Sequence, residues 1–144
     1  MMLYLDTSAL VKLYVDEPMS GELTAAVDEA EGVATSLLAY VESRAAFARI
    51  RREDRVSAQT YRHIVDAFVE DWTRYIAVEV TDRIVKDAGD LAAHRGLRGY
   101  DALHLASALS LREWVSSSVT FLAFDRQLLA AAKRETLRVH PLGG

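Results

Sequence analysis

Four acidic residues are the strongest candidates for chemistry in this chain. Asp6 follows the apolar run MLYL, Asp125 follows SVTFLAF, and Asp101 begins the apolar stretch DALHLASAL. Glu42 stands inside SLLAYVESRAAFARI, with apolar residues on the neighbouring helical turns. An unpaired charge is costly to bury, so carboxylates in apolar segments need a partner. These positions raise the question of whether one partner serves all four.

Helix capping is the competing interpretation for three of these acids. Aspartate is a favoured N-cap residue, and Asp6, Asp101 and Asp125 each precede a predicted helix. Glu42 lies in the middle of a predicted helix, where no cap is needed. For Glu42 the alternatives are that its side chain reaches water or pairs with a nearby arginine.

A shared divalent cation would account for all four acids together. Carboxylates that face one pocket raise one another's pKa values, and a bound cation removes that repulsion. The chain has no cysteine, and its four histidines form no evident metal-binding pair. Ligands that are all oxygen atoms favour Mg²⁺ or Mn²⁺.

Short apolar runs alternate with helical segments along the whole chain. Strands are predicted at 2–6, 32–36, 76–80, 118–124 and 137–141. Helices are predicted at 8–15, 20–32, 36–53, 57–75, 81–96, 100–114 and 125–135. This alternation predicts an α/β fold with a central, mostly parallel sheet of four to five strands, flanked by helices on both faces. The carboxyl ends of such strands gather at one edge, where ligands bind.

Composition narrows the class of protein. A length of 144 residues predicts one domain over 1–144, and a hydrophobic content of 51% supplies its core. The absence of cysteine excludes a disulfide scaffold and a thiolate metal site. No basic leader precedes Asp6, and the longest uncharged run, 114–124, is too short to span a bilayer. We therefore expect a cytoplasmic protein with no membrane segment.

Charge is unevenly distributed around a net charge of −4. Residues 16–31 hold six acidic residues and no lysine or arginine, whereas residues 44–62 hold six arginines against Glu53 and Asp54. The pattern predicts one acidic face and one arginine-rich face. The arginines are candidates for holding a nucleic-acid backbone, and a solvated helix surface with i,i+4 ion pairs is the alternative.

Four motifs, taken together and in order, resemble a known family. They are LDTSAL at 5–10, YVES at 40–43, RGYDALHLA at 98–106 and LAFDRQL at 122–128. The combination resembles the PIN-domain ribonucleases, and in particular the VapC-type toxins of type II toxin–antitoxin systems. The resemblance implies a PIN-like three-layer fold and an endoribonuclease that depends on Mg²⁺ or Mn²⁺. It assigns both catalysis and metal binding to Asp6, Glu42, Asp101 and Asp125.

Three further residues bear on this resemblance. Ala123 stands where the family often has serine or threonine, two residues before Asp125, so a supporting hydrogen bond is expected to be missing there. Ser8 matches the family's hydroxyl position and could orient a carboxylate or a metal-bound water, with helix-start capping as the alternative. His104, one turn after Asp101, is more typical of a core histidine than of a catalytic one.

The resemblance also implies partners. These are an RNA substrate, a second copy in a homodimer, and a cognate antitoxin that lies over the helices and blocks the acidic pocket. The predicted helices at 36–53 and 57–75 carry broad apolar stripes that either fill the core or leave an exposed patch. The aromatic members of these stripes are Phe47, Tyr61, Phe68, Trp72 and Tyr75.

Three other classes of protein are alternatives, and the residues speak against the first two. A signalling receiver domain usually has an acidic pair after its first strand and a lysine after its last, but Thr7 and Ser8 follow Asp6 and no strand end carries lysine. A phosphatase of the haloacid-dehalogenase type has an Asp-x-Asp motif, and Ser8 breaks it. The third is a catalytically inactive PIN-fold binding module, which would keep the fold without the chemistry.

Overall fold

The computed structural model describes residues 1–144 and contains one five-stranded sheet. Its strands are β1 (Met2–Leu5), β2 (Gly32–Ser36), β3 (Ile76–Val78), β4 (Val119–Leu122) and β5 (Arg138–Val139). Their order across the sheet is β3-β2-β1-β4-β5, and every neighbouring pair is parallel. All carboxyl ends therefore lie at one edge of the sheet, with β1 at its centre.

Seven helices connect and cover the strands. They are α1 (Thr7–Lys12), α2 (Ser20–Glu29), α3 (Ala39–Arg52), α4 (Ala58–Trp72), α5 (Asp82–Arg95), α6 (Gly99–Trp114) and α7 (Arg126–Arg134). Helices α1 to α4 contribute to one buried cluster, and helices α5 to α7 contribute to a second. None of the helices is long and apolar enough to cross a membrane.

The central strand shows why the sheet needs helices on both faces. Successive side chains of a strand point to opposite faces. Leu3 and Leu5 belong to the cluster with α1 to α4, whereas Met2 and Tyr4 belong to the cluster with α5 to α7. All four are buried. A strand that is apolar at every position requires cover on both sides, which produces three layers.

Helix α6 is enclosed along much of its length. Every residue from Ala102 to Ala108 is buried, as is Leu111. The alanines leave room for α6 to lie close to α5 and to the sheet. This close packing fixes the start of α6, and with it Asp101 and His104, relative to β1.

The predicted fold class is confirmed, with two shifts that affect the candidate site. Helix α3 begins at Ala39 rather than at 36, so Glu42 lies in its first turn and not in the middle of a helix. Helix α6 begins at Gly99, so Asp101 lies in the first turn and is not the N-cap residue.

The aromatic stripes pack mainly into the core. Phe47 and Phe68 are buried in the cluster with α1 to α4, so the suggestion that they form an exposed patch is wrong. Tyr61, Trp72 and Tyr75 are partly buried and pack around the same cluster. Edge-on contacts join the rings of Phe47 and Phe68 and those of Trp72 and Tyr75. Aromatic pairs of this kind tie α3, α4 and the following turn together.

Candidate active site

One cavity of about 940 Å³ opens at the carboxyl edge of the sheet. It lies where β1 and β4 end and where α1 and α7 begin, and the first turns of α3 and α6 border it. The four acids singled out in the sequence all line it, namely Asp6, Glu42, Asp101 and Asp125. The topology brings them together because parallel strands present their ends at the same edge.

Asp6 is the most enclosed of the four acids, with 4% of its surface exposed. It is the N-cap of α1, where its Oδ1 accepts a hydrogen bond of 2.9 Å from the backbone N–H of Ala9. Ser8 Oγ lies 3.1 and 3.2 Å from the two carboxylate oxygens and donates to them. Ser8 therefore orients a carboxylate, as the resemblance implied, and Asp6 itself supplies the cap.

The electrostatics around Asp6 favour its protonated form. Burial raises the pKa of Asp6, and the negative charge of Asp101 adds to the rise. Partial compensation comes from His104 and from the hydrogen bonds donated by Ala9 and Ser8. The expected repulsion between carboxylates is therefore present at Asp6, although burial is the larger cause.

Asp101 and Asp125 differ in what their carboxylates do. Asp125 is the N-cap of α7, because its Oδ1 accepts a 2.9 Å hydrogen bond from the backbone N–H of Leu128. Asp101 caps nothing, since the N-cap of α6 is Arg98 and no side chain caps that helix end. Capping, the competing interpretation, is thus confirmed for Asp6 and Asp125 and wrong for Asp101.

Glu42 is held by groups from two other elements. Its Oε1 accepts a 2.8 Å hydrogen bond from the hydroxyl of Thr7, and His104 Nε2 lies 3.8 Å from the same oxygen. His104, first, and the Thr7 hydroxyl, second, lower the pKa of Glu42, although burial opposes them. The first turn of a helix also favours a negative charge. The expectation that all four carboxylates have raised pKa values is therefore wrong for Glu42.

Arg98 lies across two of the acids, a role that was not predicted from the sequence. Its Nη2 is 3.1 Å from Asp101 Oδ2 and 3.5 Å from Asp125 Oδ2, while Nε is 3.2 Å from Asp101 Oδ2. The spacing of three residues between Arg98 and Asp101 was the available signal, because it allows an ion pair on one helix turn.

In this arrangement no three histidine, aspartate or glutamate side chains lie close enough together to hold a metal ion.

His104 joins the core to the site, because one ring nitrogen faces Tyr4 and the other faces Thr7. It is buried on α6, with Nδ1 2.8 Å from the hydroxyl of Tyr4 and Nε2 2.9 Å from the hydroxyl of Thr7. The core interpretation is correct about its burial, but the ring also lines the acidic cavity. Thr7 was missed in the sequence, and its position directly after Asp6 was the only signal.

Basic side chains form a rim on the side of the cavity towards α3. Arg49 and Arg55 line it, at 3.4 and 3.6 Å from carboxylate oxygens of Glu53. Two arginines thus share one acid, which leaves the pair with a net positive charge. Arg44 lies outside the cavity, where its guanidinium donates to the hydroxyl of Tyr40.

Known proteins resemble this chain in sequence and in fold. A family model described as the PIN domain matches residues 3–134. Ribonuclease VapC45 of Mycobacterium tuberculosis is 34% identical over 140 residues, covering 97% of this chain and 95% of that protein. FitAcB from Neisseria gonorrhoeae has a chain that matches with a TM-score of 0.69 at 16% identity, covering 99% and 98% of the two chains. A chain of a toxin–antitoxin complex from Klebsiella pneumoniae also matches, with a TM-score of 0.63 at 16% identity. The match covers 89% of this chain and 90% of that chain.

A five-stranded parallel sheet whose carboxyl edge carries acids that follow β1 and β4, together with acids in the first turns of α3 and α6, defines a PIN-type protein. The chain belongs to the PIN-domain family, as a member of the VapC type. The family inferred from the four motifs is confirmed, and the receiver and phosphatase alternatives are wrong.

Proposed function

We propose that this protein is an endoribonuclease that hydrolyses RNA phosphodiester bonds with Mg²⁺ or Mn²⁺, and that it is the toxin of a toxin–antitoxin pair. The observation that carries the proposal is the convergence of Asp6, Glu42, Asp101 and Asp125 on one cavity. Relatives named ribonuclease VapC, at 34% identity over 97% of the chain, support the same reaction.

The chemistry of the four side chains fits a hard divalent cation. All of them offer carboxylate oxygens, which Mg²⁺ and Mn²⁺ prefer. Asp6 and Asp101 are the proposed direct ligands, and Glu42 and Asp125 would hold a second ion or ordered waters. The raised pKa of Asp6 supports this assignment, because a bound cation relieves both its burial and its repulsion by Asp101. A cation held there would activate water and neutralise charge on the scissile phosphate.

A cation bound by Asp101 and Asp125 would take the place of the Arg98 guanidinium at these carboxylates. Arg98 already supplies positive charge to Asp101 and Asp125, at 3.1 and 3.5 Å. Its side chain is 79% exposed, so only the contacts to these two acids restrain it. Once displaced, the guanidinium is available to a phosphate of the substrate, for which its planar fork is suited.

The basic rim is the proposed contact for the RNA backbone. Arg49 and Arg55 flank the acidic cavity and are mostly exposed. Phosphate contacts position a nucleic acid without reading its sequence. The rim therefore accounts for binding near the acids in a chain whose net charge is −4.

Two protein partners and a location complete the proposal. Structural neighbours that are toxin–antitoxin complexes support an antitoxin partner.

A homodimer is supported by an apolar groove between α5 and α6, where Val85 and Tyr100 are more than half exposed. Sedimentation would test it, with Val85→Glu expected to give a monomer. We place the protein in the cytoplasm, where RNA and an antitoxin are both available.

The proposed activity is tested by incubating purified protein with end-labelled single-stranded and structured RNA. Cleavage is expected with Mg²⁺ or Mn²⁺, leaving 5′-phosphate and 3′-hydroxyl ends, and it should stop in EDTA. Asp6→Asn and Asp101→Asn should each reduce cleavage to background, whereas Asp28→Asn should not, because Asp28 is exposed on α2 away from the cavity. Cleavage that persists in EDTA would refute the metal-dependent reaction.

An inactive binding module is the remaining alternative, and the same assay separates it. Such a module would bind RNA or an antitoxin without cutting RNA in any divalent cation. Ala123, which replaces the family's hydroxyl near Asp125, is the feature that favours this alternative. The four acids in one cavity argue for the active enzyme.

A further inference from the structure

A chain of short contacts runs from the core of the protein to Glu42. The hydroxyl of Tyr4 lies 2.8 Å from His104 Nδ1, His104 Nε2 lies 2.9 Å from Thr7 Oγ1, and Thr7 Oγ1 lies 2.8 Å from Glu42 Oε1. The four residues come from β1, α6, α1 and α3. Tyr4 is fully buried and His104 is 3% exposed, so the inner part of the chain is sealed from water.

The direction of these hydrogen bonds follows from the atoms at the outer end. An ionised carboxylate only accepts, so the single hydroxyl proton of Thr7 points to Glu42. The Thr7 oxygen then has lone pairs left, which can accept from a protonated nitrogen 2.9 Å away. We infer that His104 is protonated at Nε2, so that its Nδ1 accepts from the hydroxyl of Tyr4. All three bonds point the same way and end on the carboxylate.

We propose that Thr7 and His104 are positioning residues that fix the Glu42 carboxylate in the acidic cavity, with the Tyr4 hydroxyl completing the hydrogen bonding of the histidine ring. This inference rests on the proposed function, in which Glu42 helps to hold a cation. The chain occupies Oε1 and leaves Oε2 without a hydrogen-bond partner in the protein. A side chain held through one oxygen presents the other in a defined direction, and hydrogen bonds from a second layer of residues commonly tune metal ligands in this way.

One competing arrangement exists at the histidine. The backbone N–H of Thr7 points at Nε2 from 3.3 Å, and it could donate there if the ring were protonated at Nδ1 instead. The hydroxyl of Thr7 would then share its proton between Glu42 and the ring. The Nε2-protonated ring is favoured because Thr7 has a single hydroxyl proton and donates it to Glu42, and the two tautomers can be told apart by experiment.

The first test measures the tautomer of His104 in metal-free protein by ¹⁵N NMR of its ring nitrogens. We expect a proton on Nε2 that exchanges slowly in the wild type and quickly in Thr7→Val. A proton on Nδ1 would overturn the directional chain. This test involves no RNA and no metal, so its result stands even if the wild-type protein proves not to cleave RNA.

The second test measures Mn²⁺ and Mg²⁺ binding by calorimetry in the absence of RNA. Thr7→Val keeps the shape of the side chain and removes the hydroxyl, so we expect affinity to fall about 10- to 100-fold, the usual effect of losing such a support. Thr7→Ser restores the hydroxyl and should restore affinity. His104→Leu should weaken binding as Thr7→Val does, whereas His104→Gln keeps a donor near Thr7 and should retain part of it.

A matched control separates positioning from a general loss of stability. Thr35 is a buried threonine on β2 whose hydroxyl donates to the carbonyl of Leu5 at 2.8 Å and takes no part in the chain to Glu42. Thr35→Val therefore makes the same substitution outside the chain and should leave metal affinity unchanged. If folded Thr7→Val binds Mn²⁺ as tightly as Thr35→Val does, Thr7 does not position Glu42 and the inference is wrong. Failure of the wild type to bind either ion would instead count against the proposed function.

Discussion

At the scale of single residues, the surroundings of the cavity shift the pKa values of two carboxylates in opposite directions. Burial and the charge of Asp101 raise the pKa of Asp6, whereas His104 and Thr7 lower that of Glu42. Asp6 is destabilised as a charge by its position at the end of the buried strand β1, and Glu42 is stabilised as a charge by donors. A cation would relieve the first and would meet the second already ionised and held in place.

This contrast predicts opposite effects of two charge-removing substitutions on the stability of the metal-free protein. Asp6 binds its proton more tightly when folded, so its ionisation destabilises the fold as pH rises above its ordinary value of 3.8. Glu42 binds its proton less tightly when folded, so it stabilises the fold above its ordinary value of 4.5 and loses that contribution as pH falls through its folded value. Asp6→Asn should therefore raise the free energy of unfolding at neutral pH, and Glu42→Gln should lower it.

Urea unfolding in EDTA, followed at neutral pH and in acid, measures both differences. Each substitution should lose its effect in acid, where the wild-type carboxyl group is protonated. Asparagine can replace aspartate as an N-cap, so Asp6→Asn keeps the bond to Ala9 and isolates the effect of charge. Equal shifts of the same sign in the two variants would contradict the electrostatic account.

Arg98 gives a second prediction at this scale, because it competes with a cation for Asp101 and Asp125. Arg98→Ala should lower the Mg²⁺ concentration needed for half-maximal RNA cleavage, and Arg98→Lys should change it less. Titration of cleavage rate against Mg²⁺ measures the effect. Arg83→Ala serves as the control, since Arg83 is exposed on α5 and pairs with acids outside the cavity. A higher Mg²⁺ requirement in Arg98→Ala would show that Arg98 supports the cation site instead of competing for it.

At the scale of helices and strands, two of the carboxylates proposed to bind metal also cap helices. Asp6 and Asp125 each end a strand-to-helix turn and accept a hydrogen bond from the third residue beyond them. A cap fixes the direction of the carboxylate, and a parallel sheet brings both caps to one edge. Helix capping therefore fixes the orientation of two of the proposed metal ligands in the cavity.

Asp125 allows the two roles to be separated by paired substitutions. Asp125→Ala removes both cap and charge and should lower the free energy of unfolding by about 1 kcal/mol, whereas Asp125→Asn should keep the cap and most of that stability. Both variants should cleave RNA more slowly than the wild type, because both lack the charge. Thermal or urea unfolding together with the cleavage assay distinguishes these effects. Full activity in Asp125→Asn would leave Asp125 as a cap only.

The strands and helices could be predicted because each is marked locally, by apolar runs, caps and helical spacing. The start of α3 could not, because Leu37 and Leu38 continue the apolar pattern, yet the chain turns there first, with the N–H of Leu38 donating to Ser36 Oγ. The four acids could be predicted from strand ends and motifs. The contacts of Thr7 with Glu42 and of Arg98 with Asp125 could not, since they join residues far apart in sequence and no local pattern records them.

At the scale of the whole molecule, the sheet edge combines an acidic cavity with a basic rim. The net charge of −4 alone would disfavour binding of a polyanion. The local distribution of charge matters more for the proposed RNA binding. Arg49 and Arg55 lie on the cavity wall, while several other arginines of 44–62 do not. Of the predicted arginine-rich face, the arginines that line the cavity are therefore Arg49 and Arg55, which both pair with Glu53.

This arrangement predicts which arginines contribute to the salt dependence of RNA binding. A contact between one arginine and one phosphate of a single strand changes the slope of log affinity against log salt by about 0.7, because counterions are released. Arg49→Gln and Arg55→Gln, each made in an Asp6→Asn protein so that RNA stays intact, should each reduce the slope by about that amount. Fluorescence anisotropy with a labelled single-stranded RNA, repeated across a series of salt concentrations, measures it. Arg62→Gln is the matched control, because Arg62 is an exposed arginine of the same sequence segment that does not line the cavity. If Arg62→Gln lowers the slope as much as Arg55→Gln does, RNA follows a broad basic surface over α3 and α4, and the cavity rim has no special part in holding it.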